Sequence, residues 1–367
     1  TVTREAVKAT PEDHPDRPAR LGNLGSRLGD RYSRTGVIAD LEESITVTRE
    51  AVKATSEDHP HRSLWLNNLG GLLGNRYSRT GAMKYLEEAI IVAREAVEAT
   101  QEDHPNRVVM LNNLGIQLGD RYSRTGAVVD LEGAITATRE AIKATPGDHP
   151  DRPLWLNNLG IRLGDRYRRT GAMEDLEEAI AVTQEAVKGT PDNHPHRAGR
   201  LNSLGNRLGN KYSRTGAVAD LEGAITATRE AIKATPGDHP DRPLWLNNLG
   251  SRLGDRYLRT GVIADLEESI TVTREAVKAT PDDHPHRRLW LNNLGGLLGH
   301  RYSRTGAMED IEEAISIYRE AVQATPNNHP DWAGRLNNLG IRLGDRYTRT
   351  GAVVDLEEAI TIAREAI

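Results

Sequence analysis

Apolar side chains recur along the whole chain at intervals of three and four residues, which is the spacing of one face of an α-helix. The pattern itself repeats, because a run of leucine, any residue, asparagine or serine, leucine and glycine returns every 45 residues without insertion or deletion. The run begins at Leu21, Leu66, Leu111, Leu156, Leu201, Leu246, Leu291 and Leu336. Such fixed spacing lets every unit meet its neighbours in the same way, so the pattern predicts eight stacked repeats.

Each unit contains two helical patterns separated by a glycine. In the unit over 148–191, His149-Pro150-Asp151 marks the start of the first helix and Gly171 suits the left-handed turn at its end. The apolar stripe of the first helix is Leu156, Leu159, Leu163 and Tyr167, and that of the second is Leu176, Ala179, Ile180, Ala186 and Val187. Nothing alternates with the two-residue period of a strand, so the sequence predicts an all-α solenoid of helix-turn-helix repeats.

The repeat pattern reaches both ends of the chain. It predicts a single repeat domain over 1–367, with part of a second helix at 1–10 and repeats that start near 14, 59, 104, 149, 194, 239, 284 and 329. Because the chain begins with Thr and both ends fall inside helical patterns, we expect a fragment of a larger protein.

Two glycines lie four residues apart in every predicted first helix, as Gly160 and Gly164 do in the fourth repeat. Each costs about 1 kcal/mol of helix propensity relative to alanine. Their retention in all eight units predicts a close approach, in which the second helix packs against bare backbone.

Composition and charge argue against several classes of fold and function. The chain has no Phe or Cys and only 4% aromatic residues, so a large globular core would lack its usual bulky side chains. A net charge of −5 on a chain with 28% charged residues gives no reason to expect nucleic acid or a membrane as partner. No apolar run is long enough to span a bilayer, and a cytoplasmic location is expected. No catalytic, cofactor or metal motif is present, so we expect no enzyme, no cofactor and no metal.

The units resemble tetratricopeptide repeats. The residues that match the 34-residue family pattern are Leu156, Leu159-Gly160, Leu163, Ala179, Ala186 and Pro191. The longer Asp-His-Pro-Asp…Leu-Asn-Asn-Leu run is similar to repeats of kinesin light chains. The Arg-Tyr-x-Arg-Thr-Gly…Asp-Leu-Glu-Glu-Ala-Ile run resembles repeats of fungal STAND (NLR-like) and CHAT-protease-associated proteins. The resemblance implies a right-handed superhelix whose first helices line a groove that binds a protein or an extended peptide.

We count positions along each first helix so that Leu156 is position 4. The resemblance implies that positions 2, 5, 6, 9, 12 and 13 face the ligand. At positions 5 and 6 the groove would carry Asn23, Asn67, Asn68, Asn112, Asn113, Asn157, Asn158, Asn202, Asn247, Asn248, Asn292, Asn293, Asn337 and Asn338. Such amides can grip a peptide backbone, because each offers both donors and acceptors. The alternative is that they tie neighbouring repeats together.

Position 9 varies most among the units, as a position that determines specificity should. Its occupants are Ser26, Gly71, Ile116, Ile161, Asn206, Ser251, Gly296 and Ile341. Position 13 is acidic in five units, including Asp120, Asp165 and Asp255, and these carboxylates could attract a basic peptide. Their alternative is a routine surface pair with the arginine four residues on, as from Asp165 to Arg169. The second glycine, at position 12, is expected to deepen the groove.

Two other residue types recur near the helix starts. Every loop carries a histidine before proline, for which we favour a role in helix entry and packing over zinc binding, because no further ligand completes a four-coordinate site. Four tryptophans occupy position 3, where Arg20, Arg200 and Arg335 stand in other units. Since arginine stands there elsewhere, we expect this position to tolerate solvent, and the tryptophans either pack partially or form a sticky patch.

The favoured function is therefore a protein-interaction scaffold, as the sensor or ligand-recognition region of a fungal STAND or CHAT-type protein. The alternative is a structural element that stacks end to end on other copies of itself or spaces two other domains.

Overall fold

The computed structural model describes residues 2–366, which form seventeen α-helices and no strand. Helix α1 spans Val2–Lys8. The first helices of the eight repeats are α2 Arg17–Thr35, α4 Arg62–Thr80, α6 Arg107–Thr125, α8 Arg152–Thr170, α10 Arg197–Thr215, α12 Arg242–Thr260, α14 Arg287–Thr305 and α16 Trp332–Thr350. The second helices are α3 Ile38–Lys53, α5 Met83–Glu98, α7 Val128–Lys143, α9 Met173–Lys188, α11 Val218–Lys233, α13 Ile263–Lys278, α15 Met308–Gln323 and α17 Val353–Glu365. The predicted all-α, tetratricopeptide-like solenoid class is confirmed.

Every repeat begins and ends its first helix in the same way. At the start, the Nδ1 atom of the loop histidine accepts a hydrogen bond from the backbone N–H two residues on, for example from Asp151 to His149 at 3.1 Å. At the end, the glycine adopts φ between 66° and 73°, and its N–H donates to the tyrosine carbonyl four residues back. In the fourth repeat these residues are Gly171 and Tyr167. Only glycine adopts such a φ without strain, which explains the fixed Arg-Thr-Gly ending.

The helices form two compact units that divide between Gly189 and Thr190. Within each unit, a second helix packs against the first helix of its own repeat and against the first helix of the next repeat. The shared core is made of leucine, isoleucine and alanine, such as Leu86, Leu131 and Leu176, which are fully buried. A single domain over 1–367 stays a prediction.

The first of the two conserved glycines, at position 8, lies where the two helices of a repeat touch. A Cβ atom at Gly115 would lie 2.6 Å from Thr138 Oγ1 and 3.2 Å from the carbonyl oxygen of Ala134. Gly205 meets the equivalent residues of its own second helix. The predicted close approach of the second helix is therefore confirmed at this position.

The second glycine, at position 12, has a different neighbour from the one predicted. A Cβ at Gly119 or Gly209 would overlap the guanidinium of Arg162 or Arg252, at position 10 of the next first helix. A Cβ at Gly29 would instead lie 3.1 Å from Leu72 Cδ2. These glycines give room to a side chain of the following repeat, so the prediction that both glycines face the second helix was wrong for this one.

A buried ion pair closes most helical hairpins. Arg166 places its Nε and Nη2 atoms 3.0 and 2.6 Å from the carboxylate of Asp175, which lies at the start of the second helix. The same pair joins Arg346 and Asp355, where the arginine holds the pKa of the carboxyl below its usual range. Tyr85 replaces the aspartate in the second repeat, and there Arg76 lies 5.4 Å from the centre of its ring. The hairpin therefore keeps a partner for this arginine even where the acid is lost.

Candidate functional site

The paired asparagines of the first helices bond mainly to one another. The Nδ2 atom of Asn113, at position 6, donates to Oδ1 of Asn67, at position 5 of the preceding repeat, at 2.9 Å. The same bond runs from Asn158 to Asn112, from Asn248 to Asn202, from Asn293 to Asn247 and from Asn338 to Asn292, at 2.9 to 3.1 Å. These bonds tie consecutive first helices together, which is the alternative that the sequence left open. A further role for these asparagines in ligand binding stays a prediction.

Several of these amides are inaccessible to a partner molecule. Asn112, Asn202 and Asn247 are buried, whereas Asn23 and Asn337 are exposed and the rest lie between. Asn68 contacts Ser26 at 3.4 Å, because the first repeat has Gly22 where its neighbours have the first asparagine. The position-6 carbonyl oxygens, which the inter-repeat bonds do not use, are therefore the part of the network that remains open to a ligand.

The isoleucines at position 9 project beside the asparagines into solvent. Ile161 is 37% exposed and Ile341 is 44% exposed, while Ile116 and Asn206 are half-buried. Apolar side chains held half in water by a fixed scaffold are typical of a binding surface. The structure thus places the predicted specificity position at the surface and not in the core.

Where position 9 is glycine, a cleft opens on the same helical face. One cleft, of about 410 Å³, lies at Gly71, and the other, of about 320 Å³, lies at Gly296. Each is lined by three consecutive first helices, at matching positions of different repeats. A Cβ at Gly71 would meet no atom within 4 Å, and one at Gly296 would meet only Tyr318 Oη at 3.5 Å. Both clefts combine glycine at position 9 with leucine at position 10, and these two residues together distinguish the cleft repeats from the others.

The acids at position 13 are paired with arginines at position 10, not with the arginine four residues on. Asp255 lies 3.6 Å from Arg252, three residues back. Asp120 lies 3.8 Å from Arg162 of the next repeat, and Asp165 is buried between Arg162 and Arg168. The proposed Asp165–Arg169 pair is wrong, because the buried carboxylate pairs with arginines three residues before and three residues after it. Burial also raises the pKa of Asp120 and of Asp255.

Position 12 does not deepen the groove evenly. Arg162, Arg252 and Arg342 fill the space above the preceding glycine in three repeats, and leucine covers it in two others. The two leucines, Leu72 and Leu297, form part of the cleft walls. The expectation of a groove deepened throughout was therefore wrong, and the open space is confined to particular repeats.

The sequence also matches a known family. The family model described as tetratricopeptide repeat matches residues 64–106, 154–196, 197–241, 244–286, 289–331 and 332–367, which together make up more than half of the chain. The chain belongs to the tetratricopeptide repeat family. No protein of curated function matches it.

Solved structures with similar tetratricopeptide folds have low sequence identity to this chain. The C-terminal part of a repeat protein from Cytophaga hutchinsonii is 14% identical with a TM-score of 0.54, and the match covers 82% of this chain and 93% of that one. A putative kinesin light chain from Podospora anserina with nearly identical repeats is 18% identical with a TM-score of 0.42, covering 59% and 97%. YrrB, described as having an unusual peptide-binding site, is 17% identical with a TM-score of 0.42, covering 63% and 95%. At 14% identity, the likeness to the Cytophaga hutchinsonii protein establishes the fold alone.

Tetratricopeptide position 2 carries exposed apolar residues that the sequence analysis did not single out. Leu64, Val109, Leu154, Leu244 and Leu289 are each 37 to 43% exposed. Their signal was present in the sequence, since the family pattern names position 2 as facing the ligand. They border the same face as the asparagines and position 9.

Position 3 of these repeats is a packing position. Trp65, Trp155, Trp245 and Trp290 are buried, and each stacks on its loop histidine with ring centres 5.1 to 5.6 Å apart. Arg200 and Arg335 are buried as well, and each donates to a threonine hydroxyl at the end of the preceding second helix. Burial lowers the pKa of both guanidinium groups. The expectation that this position tolerates solvent holds for Arg20, whose side chain is 40% exposed, and was wrong for Arg200 and Arg335. The tryptophans pack instead of forming a surface patch.

Two further properties bear on the kind of site. Within residues 2–366, no three histidines or carboxylates are grouped so that they could hold a metal ion. Over the same residues, no helix combines the length and the hydropathy needed to cross a bilayer.

Proposed function

We propose that this chain is a protein-interaction scaffold that binds an extended segment of a partner along the face made by positions 2, 6, 9 and 13 of its first helices. Membership of the tetratricopeptide repeat family supports the scaffold role, because members of this family bind peptides or proteins. The finer assignment to this face rests on the residues of this chain.

One observation carries the assignment. Repeats that are otherwise nearly identical differ at position 9. The surface presents either an exposed isoleucine, as at Ile161 and Ile341, or an open cleft where glycine is followed by leucine, as at Gly71 and Gly296. Variation that changes the surface without changing the scaffold is what recognition requires.

The test begins with peptides selected on the full chain from a random library. We expect their affinity to fall about tenfold or more when Ile116, Ile161 and Ile341 are all changed to Ser, because exposed apolar area is lost. The melting temperature should barely change, since two of these side chains are well exposed. The control is Val129→Ser, which removes a side chain that is 76% exposed on the second helix. Unchanged affinity, or a large loss of stability, would contradict the proposal.

We further propose that the array is the sensor region of a larger fungal STAND or CHAT-type protein of the cytoplasm. The support is the resemblance of its repeats, together with recent duplication: residues 36–55 and 261–280 are identical. The sequence of the flanking coding region tests this idea, and the absence of a nucleotide-binding or protease domain there would sink it. Light scattering tests the alternative of end-to-end assembly, because a monomer at all concentrations excludes it for this piece.

A further inference from the structure

The two clefts at Gly71 and Gly296 are copies of one site. Three consecutive first helices contribute the same residue types to both clefts. The first contributes serine at position 9, glycine at position 12 and aspartate at position 13. The second contributes the asparagines at positions 5 and 6, glycine at position 9 and leucine at position 10, and the third contributes asparagine at position 6. One copy lies in each compact unit. We propose that each cleft takes a lysine or arginine side chain of the bound segment, so that one chain binds the same basic motif twice. This inference rests on the proposed function.

Charge favours a cation in the first cleft, whereas in the second cleft Asp255 already pairs with Arg252, which is 3.6 Å away and 17% exposed. The carboxylate of Asp30 is the charged group that lines the first, and the carboxylate of Asp255 is its counterpart in the second. No lysine or arginine lines either one. The partner of Asp30 is Arg27, which is 3.4 Å away and 76% exposed, and such an exposed pair gives way readily to a better-placed ligand.

The second cleft offers acceptors to a donor, beside the Nδ2 group of Asn292. In the second cleft, Asn293 and Asn338 give an Nδ2 proton to the preceding asparagine. Their Oδ1 atoms receive no donor from the described residues and remain as acceptors. An ammonium or guanidinium group supplies donors only, so it fits a site in which acceptors are left over.

The apolar floor of each cleft suits the aliphatic part of the ligand's lysine or arginine side chain. Leu72 and Leu297 cover the position-12 glycines, and the position-9 glycines add no side chain of their own. A lysine or arginine can lay its methylene stem on such a surface while its charged end reaches the carboxylate. An acidic side chain would meet the carboxylate of Asp30 with no compensating cation in the lining of the first cleft.

The test uses acetyl-Ala-Ala-Lys-Ala-Ala-amide, titrated into the full chain labelled with [15N]asparagine, and the side-chain amide signals are followed by NMR. We expect two groups of signals to shift. Gly71→Ile should abolish one group and Gly296→Ile the other, and both variants should fold, because a Cβ at either site has open space. A peptide with norleucine in place of lysine should bind about tenfold more weakly, since it keeps the stem and loses the charge.

Asp30→Asn and Asp255→Asn should each weaken lysine binding in its own cleft alone. Asp120→Asn is the matched control, because this acid precedes a repeat whose position 9 is Ile161. Equal binding of the lysine and norleucine peptides, preference for a glutamate peptide, or shifts that survive both Gly→Ile variants would overturn the inference. In each case the scaffold function would still stand if library-selected peptides lose affinity in the isoleucine variants, so the two failures are distinguishable.

Discussion

The two clefts have the same frame but different walls, and their comparison separates what stacks the repeats from what a ligand would touch. The first cleft has Ser33 and Asn75 where the second has Leu258 and His300. Tyr318 also lines the second cleft, whereas the equivalent residue of the first unit is Ala93. The added side chains agree with the smaller volume of the second cleft, about 320 Å³ against about 410 Å³. The same scaffolding thus frames two clefts with different walls.

Tyr318 accounts for the largest difference between the two regions. It is 4% exposed and packs in the core formed by Ile311, Ile315, Leu336 and their neighbours. Burial raises the pKa of its hydroxyl. The first unit has alanine at the equivalent place. Tyr318 therefore adds a side chain both to the core and to the wall of the second cleft.

The largest expected effect comes from Tyr318→Ala, which gives the second cleft the residue of the first. We expect a loss of about 3 kcal/mol in the free energy of unfolding, because a buried aromatic ring leaves a cavity. Urea denaturation followed by circular dichroism measures it. Tyr318→Phe is the control and should keep most of the stability. A loss below about 1 kcal/mol in Tyr318→Ala would mean that the region repacks like its counterpart.

A smaller effect should distinguish the glycines beside the clefts. A Cβ at Gly295 would lie 2.8 Å from the Tyr318 ring, so Gly295→Ala should cost about 1–3 kcal/mol of unfolding free energy. At Gly70 the nearest atom is the flexible amide of Gln117, at 3.2 Å, and Gly70→Ala should be close to neutral.

The neighbouring position supplies the control for the glycine comparison. Gly71→Ala and Gly296→Ala should each gain up to about 1 kcal/mol, because helix propensity improves and the space is open. The same denaturation series measures all four variants. Equal losses at Gly70 and Gly295 would show that the ring does not set the difference.

The smallest effect concerns pH. Burial and the nearby Arg342 lower the pKa of His300 below its ordinary value of 6.5, and the ring lies 6.4 Å from that of Tyr257. As the pH falls through this lowered pKa, His300 gains a positive charge, so lysine binding in the second cleft should weaken. Stability falls over the same range, because the unfolded chain binds the proton more readily. The first cleft has Asn75, which gains no charge.

NMR titrations of the lysine peptide over a series of pH values measure this difference. His300→Asn copies the first cleft and should remove the part of the pH dependence that the histidine contributes. An unchanged pH profile in His300→Asn would remove the histidine from the account.

The fold could be predicted from the sequence because each structural residue acts locally. Gly171 ends a helix by its own conformation, and the 45-residue period fixes the partners of Leu156. The site was less accessible to the same reasoning. An asparagine can bond a ligand or its neighbour equally well, and only the distance between Asn113 and Asn67 reveals the bond between neighbours. From the sequence alone, Arg200 would be assigned to the surface, because the sequence does not show its buried hydrogen bond to Thr190.

The central claim is that the residues at positions 9 and 10 open or close a binding cleft on a fixed scaffold. The most direct measurement is the number of lysine peptides bound by the variant Gly71→Ile with Leu72→Arg, which copies residues 161 and 162 into the second repeat. We predict that one site remains, the cleft at Gly296. A well-folded variant that still binds two peptides would contradict the claim.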